Sequence, residues 1–367
     1  MASDHIYRAQ TVGSLLRPPE LKQARADLDA GRIDPLSFKR IEDRAVDEAL
    51  ALQERAGLDI VSDGEMRRAH FTGPLSEVVA GMDSVRAPVQ HWHGGGEGEE
   101  PTYAHVRAVT GKLRRLRSLA AEEFVYLRAR TQKPIKATLP SPLMMQTFWS
   151  PEHSPAAYSD PFELFADAAA ILREEARELV SLGCGFIQVD APDIGFLVDE
   201  SVRESLAGRG IDPGRMLGEG IEIINSVADV PGAQFAIHLC KGNREGHWLA
   251  AGGYGAISKQ VFPRLRRFHV LLLEYDDERS GGFEPLADVP TDKTVVLGLV
   301  STKRAQVESP TELLGRIEQA AEYFPRDQLA LSPQCGFASV MAGNPIAPKV
   351  QERKLHVVAE VARAAWP

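Results

Sequence analysis

Eight short apolar runs, most of them separated by segments of helical character, constrain the fold of this chain more than any other feature. They cover residues 6–15, 58–61, 134–139, 185–189, 235–239, 270–273, 294–300 and 328–331. Such nearly continuous apolar runs are typical of parallel strands that helices cover on both faces. Eight of them predict an α/β fold, a closed (β/α)8 TIM barrel. An open doubly wound sheet is the alternative, but no Gly-x-Gly-x-x-Gly turn follows the first run.

One barrel of this kind accounts for the length of the chain. Barrels often reach this size as one domain, and no low-complexity linker divides the sequence. We therefore predict a single domain over 1–367. An irregular, glycine-rich stretch at 81–110 predicts an inserted, hairpin-like excursion within it. Helical spacing of apolar residues predicts helices at 35–56 and 112–130.

The composition limits the classes of molecule that the protein is expected to bind. Hydrophobic residues make up 44% and charged residues 25% of the chain, and the net charge is -9. A negative chain argues against a broad nucleic-acid surface. No apolar run approaches the roughly 20 residues needed to span a bilayer, and the N-terminus lacks the pattern of a signal peptide. We expect a cytoplasmic protein that acts on small molecules, without nucleic-acid or membrane partners; a homo-oligomer is compatible with the sequence.

Polar, chemically versatile side chains follow nearly every apolar run. In a barrel these positions converge on one mouth, at the carboxyl ends of the strands, where barrel enzymes place their chemistry. A barrel selected for stability alone would not need this bias. The residues are Ser14, Asp63, Glu65, Ser141, Asp190, His238, Cys240, Glu274, Ser301, Lys303 and Cys335.

A candidate metal site stands out among these positions. In a strand, His238 and Cys240 point to the same face and present an imidazole and a thiolate side by side. Cys335 ends the last strand and completes a nitrogen and two-sulfur set, which is typical of catalytic zinc with one position left open. Glu274 is the candidate fourth ligand, because a thiolate displaces a hard carboxylate from zinc readily. Zinc bound in this way activates thiols.

Other interpretations of single residues stay open at this point. Asp63 and Glu65 could pair with the adjacent arginines at the surface, and Asp190 could cap the following turn. Glu274 begins an acidic segment that solvent alone could explain. His91 and His93 have the spacing of metal ligands but lie in the glycine-rich excursion. Cys184, the third cysteine, precedes a strand at the opposite end of the barrel and is interpreted as structural.

These motifs together resemble the catalytic C-terminal barrel of the cobalamin-independent methionine synthase family. The resemblance covers nearly the whole chain, and the motifs are much more specific together than singly. They are Thr11-Val12-Gly13-Ser14 with Arg17-Pro18, Asp63-Gly64-Glu65, Gln188-Val189-Asp190 with Pro192, His238-x-Cys240, Glu274 and Pro333-x-Cys335-Gly336.

The resemblance implies a zinc-dependent S-methyltransferase that acts on homocysteine or a similar thiol. It implies His238, Cys240, Glu274 and Cys335 as zinc ligands. It also implies that Ser14, Glu65 and Asp190 hold the amino acid part of the substrate, with Asp190 as the catalytic residue. Carboxylates suit an ammonium group, and the Ser14 hydroxyl or main-chain amide suits a carboxylate. We expect Lys303 to face an anionic donor or thiol.

The sequence also departs from the family pattern. Ala191 stands where the synthases have glutamate, and Ser301-Thr302-Lys303 stands where they have a histidine associated with methyl transfer. These differences leave the alkyl donor open. Several motifs resemble the short, single-barrel branch, which also resembles epoxyalkane:coenzyme M transferase. Opening of an epoxide by a zinc-activated thiol is therefore the alternative function. A metal-free barrel similar to uroporphyrinogen decarboxylase would not require the two cysteines and the histidine.

Overall fold

Six parallel strands, each hydrogen-bonded to its neighbour in sequence, form the main sheet of the protein. The computed structural model describes residues 5–85, 89–94, 101–104 and 107–367. The strands of the sheet follow four short antiparallel ones in the chain. In order they are β1 (Val79–Asp83), β2 (Val89–His91), β3 (Thr102–Ala104), β4 (Ala108–Arg115), β5 (Lys136–Pro140), β6 (Phe186–Asp190), β7 (Gln234–Leu239), β8 (Val270–Glu274), β9 (Thr294–Val300) and β10 (Leu329–Pro333).

The two N-terminal runs close the sheet into the expected TIM barrel, although they form no regular strands. Ala9 makes a parallel bridge to Leu331 of β10, and Val61 makes one to Ile135 beside β5. The two runs meet each other where the Asp59 amide donates to the Ala9 carbonyl at 2.9 Å. The Asp59 carboxylate in turn accepts the Ala9 amide. The Asp59 side chain thus replaces a main-chain carbonyl as the acceptor of the Ala9 amide. This replacement explains why the hydrogen-bond ladder of the N-terminal runs stops after single bridges.

Helices cover the outside of the sheet. The α-helices of the described part of the chain are α1 (Pro19–Asp29), α2 (Pro35–Ala56), α3 (Gly73–Ser76), α4 (Ala120–Arg128), α5 (Pro161–Ser181), α6 (Pro192–Gly195), α7 (Glu200–Gly208), α8 (Pro213–Arg215), α9 (Ile221–Val227), α10 (Ser258–Val261), α11 (Pro310–Ala321) and α12 (Pro348–Ala365). Proline in the first turn starts many of them, because it needs no partner for a main-chain amide there. None of these helices is long and apolar enough to cross a membrane.

Alternation along the strands divides the core into two layers. Residues such as Ile187, Ile237 and Leu271 face the helices and belong to the large outer core. The intervening residues face the barrel axis, where Phe186, Ala236 and Leu272 belong to a smaller inner cluster. The same inner face therefore carries the polar residues at the carboxyl ends of these strands, because side chains two positions apart share a face.

The stretch predicted as an excursion carries two antiparallel pairs of strands. β1 pairs with β4, and β2 pairs with β3. The helix predicted at 112–130 is therefore wrong in its first part, because β4 continues to Arg115 and α4 begins only at Ala120. Leu113 and Leu116 have helical spacing, but Lys112 and Arg114 are exposed on either side of Leu113, as strand alternation requires. The glycine-rich residues 95–100 lie outside the described part of the chain.

Candidate functional site

Three of the predicted ligands converge at the mouth of the barrel. The Nε2 or Nδ1 atom of His238 and the Sγ atoms of Cys240 and Cys335 all lie within 4.8 Å of one another, and all three side chains are buried. β7 brings the first two together, and the loop after β10 brings the third. Small adjustments of these side chains would give the bond lengths of about 2.0–2.3 Å that zinc takes with nitrogen and sulfur.

The orientation of His238 suits a metal. Its Nδ1 atom lies 3.3 Å from the Leu272 carbonyl oxygen, which can only accept a hydrogen bond. The ring proton therefore belongs on Nδ1, and the lone pair belongs on Nε2. Nε2 is buried and has no hydrogen-bond partner among the residues that the structure describes. A buried, unpartnered acceptor beside two thiols fits a cation at this position.

The electrostatics of the cluster also favour a cation. Burial by itself would lower the pKa of His238, but Cys335, Asp190 and Glu274 raise it above its ordinary value. The hydrogen bond between the two thiols holds the pKa of Cys335 well below the ordinary value and raises that of Cys240 well above it. Negative charge is thus concentrated here, and a positive ion would stabilise it.

The predicted fourth ligand, Glu274, lies beside this cluster but is held by other groups. Its Oε1 accepts from Arg279 at 2.5 Å and from Lys303 at 3.0 Å, and its Oε2 accepts the Lys241 amide at 2.7 Å. Burial alone would raise the pKa of Glu274, but Lys303, Lys241 and Arg279 hold it far below the ordinary value. Within the described ranges, neither Glu274 nor Lys303 lines the cavity that contains the two thiols. Lys303 is thus placed against a carboxylate of the protein.

Two further predicted residues, Glu65 and Asp190, line the cavity beside the cluster. Asp190 lies directly across from His238 in the pairing of β6 with β7. Its side chain accepts from Gln188 Nε2 at 2.6 Å, so it does not cap the following helix. Burial raises the pKa of Asp190 to about 7, although His238 opposes that shift. Among the described residues, no Lys or Arg lies within 4 Å of this carboxylate.

The loop that carries Glu65 is held in a strained conformation. Glu65 has a φ of 57°, in the left-handed region that side chains rarely adopt. Asp63 accepts its amide at 3.0 Å, and Arg17 donates to its carbonyl at 3.0 Å. Thr138 donates to one oxygen of its carboxylate at 2.9 Å, while the other oxygen is buried without a partner in the described structure. Strain of this kind concentrates at functional sites, where it holds a side chain toward a ligand.

Ser14 lines the same cavity, but its hydroxyl is already used. The Ser14 Oγ donates to the Ala338 carbonyl at 2.6 Å. The loop of Cys335 packs closely against this segment, because a Cβ atom on Gly336 would lie 2.7 Å from the Ser14 nitrogen. Gly195 permits a similar approach to Cys240, since a Cβ atom there would lie 2.0 Å from the Cys240 carbonyl oxygen. Glycine at both places brings three loops together around the thiols.

Part of the cavity lining, here called the apolar wall, is apolar and was missed by the sequence argument. It includes Trp92, Met144 and Phe196. Trp92 comes from the excursion, which is joined to the loop after β7 by hydrogen bonds between the main chains of His93 and Trp248. His91 and His93 are absent from the metal-binding cluster that the described residues form. The only sequence signal for this wall was a tryptophan in an otherwise polar, glycine-rich stretch.

Comparison with known sequences decides the family. The model for the catalytic domain of cobalamin-independent synthases matches residues 7–352. The chain belongs to the cobalamin-independent methionine synthase family. Within this family it is similar to the uncharacterized protein YxjH of Bacillus subtilis, with 34% identity over 98% of this chain and 95% of that protein.

Two relatives with assigned names are more distant. The methionine synthase of Thermococcus kodakarensis is 26% identical over 90% of this chain and 87% of that protein. The 5-methyltetrahydropteroyltriglutamate–homocysteine methyltransferase of Streptomyces avermitilis is 25% identical over 89% of this chain but only 39% of that protein. Among solved structures, the B12-independent methionine synthase of a Shewanella species has the same fold, with a TM-score of 0.76 and 22% identity over 98% of both chains.

Proposed function

We propose that this protein is a zinc-dependent S-methyltransferase that transfers a methyl group to homocysteine or a closely similar amino acid thiol. The observation that carries the proposal is the position of two buried carboxylates in the same cavity as the nitrogen and two-sulfur cluster. A thiol bound at the cluster would place its own amine within reach of Glu65 and Asp190. The named relatives support methyl transfer as the reaction class.

The metal would be held by His238, Cys240 and Cys335, and its role would be to bind the substrate sulfur and keep it ionised near neutral pH. We propose Glu274 as the fourth ligand. Both of its oxygens already accept hydrogen bonds, so Lys303 and Arg279 compete with the metal for this carboxylate. Such competition suits a ligand that an incoming thiolate displaces.

The protein's own residues would orient the amino acid. Asp190, which lies across from His238, would accept the ammonium group together with Glu65. Because the Ser14 hydroxyl donates to Ala338, the main-chain amide of Ser14 is the donor that we propose for the substrate carboxylate. The apolar wall of Trp92 and Phe196 would exclude water from the sulfur and face the alkyl donor. Charge complementarity at these positions disfavours coenzyme M, which has a sulfonate and no amine.

Zinc-edge X-ray absorption on the purified, zinc-loaded protein tests this proposal. We expect about one zinc per chain and one added zinc–sulfur contact when homocysteine is supplied. Coenzyme M should produce no such change. An added contact with coenzyme M alone would favour epoxide opening instead, and a protein without zinc would refute the metal assignment. Mass spectrometry of methionine formed from labelled homocysteine and candidate methyl donors then identifies the donor.

A further inference from the structure

A buried lysine lies on the inner face of the sheet, paired in register with Phe186 of β6. Lys136 of β5 is only 2% exposed. Its Nζ donates to Gln10 Oε1 at 3.2 Å, to Gln188 Oε1 at 2.9 Å and to the Thr11 carbonyl. All three acceptors are neutral. No carboxylate in the described part of the chain lies within 4 Å of this ammonium group. A charge buried with neutral partners is costly, and burial lowers the pKa of Lys136 to about 7, so the position calls for an explanation.

Lys136 determines the orientation of the Gln188 side chain. A lysine can only donate, so the oxygen of the Gln188 amide must face it. The nitrogen of the same amide then points the other way and donates to the Val12 carbonyl at 2.8 Å and to Asp190 Oδ1 at 2.6 Å. With the amide reversed, the Gln188 oxygen would face the Val12 carbonyl and the Asp190 carboxylate, which can only accept. The lysine thus fixes a donor beneath Asp190.

We propose that Lys136 is a positioning residue for the substrate amine and acts through Gln188 to hold Asp190 aimed into the cavity. The inference rests on the proposed function, since it assigns the amine-binding role to Asp190. Glu65 and Asp190 lie together in a buried cavity and repel each other. The Gln188 amide donates to Oδ1 of Asp190 and leaves the second oxygen for the substrate amine. A directly paired lysine, such as Lys303 on Glu274, would compete with the substrate for that oxygen.

Binding of two matched thiols tests the inference. Isothermal titration calorimetry would compare homocysteine with 4-mercaptobutyrate, the same thiol without its amine, on zinc-loaded Lys136→Met and on the wild type. We expect the Kd of homocysteine to rise about tenfold or more, because a charge-assisted contact is weakened, and that of 4-mercaptobutyrate to change less than about twofold. Zinc content should stay the same. Lys293→Met is the matched control. Lys293 lies immediately before β9, is also buried and donates to the Phe268 carbonyl.

A second variant, Gln188→Met, tests the contact between Gln188 and Asp190 directly. It also keeps the inference testable if Lys136→Met does not fold. Gln188→Met leaves Lys136 with Gln10 and Thr11 as partners but removes the donor to Asp190. It should reproduce the loss that is specific to the amine. Equal losses for both thiols, or no loss in either variant, would overturn the inference while leaving the proposed function in place. Absence of homocysteine binding by the wild type would instead refute the proposed function, and this inference with it.

Discussion

Buried carboxylates on two sides of the cluster of His238, Cys240 and Cys335 differ in how they are paired. On the paired side, Glu274 and Asp276 lie against Lys303 and Arg279, with separations from 2.5 to 3.8 Å. On the open side, Glu65 and Asp190 lie in the cavity. Asp190 contacts an amide there instead of a cation.

The open side is neutralised only in part. Arg68 lies 3.5 Å from Glu65 but makes its shorter ion pair, at 2.6 Å, with Glu123. Buried charges are stable only when they are paired, so the charge of Glu274 is satisfied within the protein and the open side requires a positive ligand. The difference supports the proposed position of the substrate ammonium group on the open side. Each of the following changes would confirm or contradict this assignment.

The largest effect is expected from Cys335→Ser, which removes a sulfur from the cluster. Zinc affinity should fall on the order of a thousandfold or more, because each thiolate supplies several kcal/mol of the binding free energy. Metal analysis of the purified protein would then show little zinc, and methyl transfer would be lost. The matched control is Cys184→Ser, since Cys184 is buried beside the Phe186 carbonyl and lies outside the cluster. Equal zinc loss in the two variants would show that a general loss of structure is responsible.

The next effect tests the paired side. Lys303→Met leaves Glu274 with Arg279 as its remaining side-chain partner. Removing one member of a buried ion pair costs about 3 kcal/mol of stability, which chemical denaturation measures. Lys39→Met is the control, because Lys39 is half exposed and its pair with Asp43 should contribute less than about 1 kcal/mol. If Lys303→Met were no more destabilising than the control, the paired side would not be held by its charges.

A smaller effect, specific for the ligand, is expected on the open side. Asp190→Asn removes the charge that would face the substrate ammonium, and the Kd of homocysteine should rise about 10- to 50-fold. Calorimetry with 4-mercaptobutyrate should show little change. Asp276→Asn, on the paired side, should leave the ratio of the two affinities as in the wild type. A reversal of these two results would exchange the roles of the two sides.

The sequence predicted the barrel, because most strands of the sheet were nearly continuous apolar runs followed closely by polar residues. It also predicted that His238, Cys240 and Cys335 would meet, since strand alternation and the common mouth of a barrel determine where such residues lie. Family membership is confirmed by the match over residues 7–352. The zinc itself and the substrate contacts stay predictions.

Other features depend on packing between distant segments. The partners of Glu274 and Lys303 were not predictable, because pairing between the ends of β8 and β9 depends on side-chain rotamers. The apolar wall contributed by Trp92 follows from how the excursion folds back onto the barrel. Lys136 did leave a signal: a lysine within an otherwise apolar strand is unusual and points to an internal polar contact.

The smallest expected effect concerns Asp193. It distinguishes this buried carboxylate from Asp190, which we propose binds the substrate. Asp193 is 1% exposed, accepts from Ser141 at 3.0 Å and has a second oxygen without a partner in the described structure. Burial raises the pKa of Asp193 to about 7, against about 3.9 in an unfolded chain. Between these values the folded protein binds a proton that the unfolded chain releases, so stability falls as the pH rises toward 7.

Asp193→Asn should remove this pH dependence. The stability of the variant relative to the wild type should be about 1–2 kcal/mol greater near pH 8, where the wild type must bury a charge, than near pH 5, where Asp193 is protonated in the fold. Thermal or chemical denaturation at the two pH values measures the difference. Homocysteine affinity should stay unchanged, unlike in Asp190→Asn, because Asp193 does not line the cavity in the described structure. An equal gain at both pH values would mean that Asp193 stays ionised in the fold, and a loss of homocysteine affinity would extend the open side to this residue.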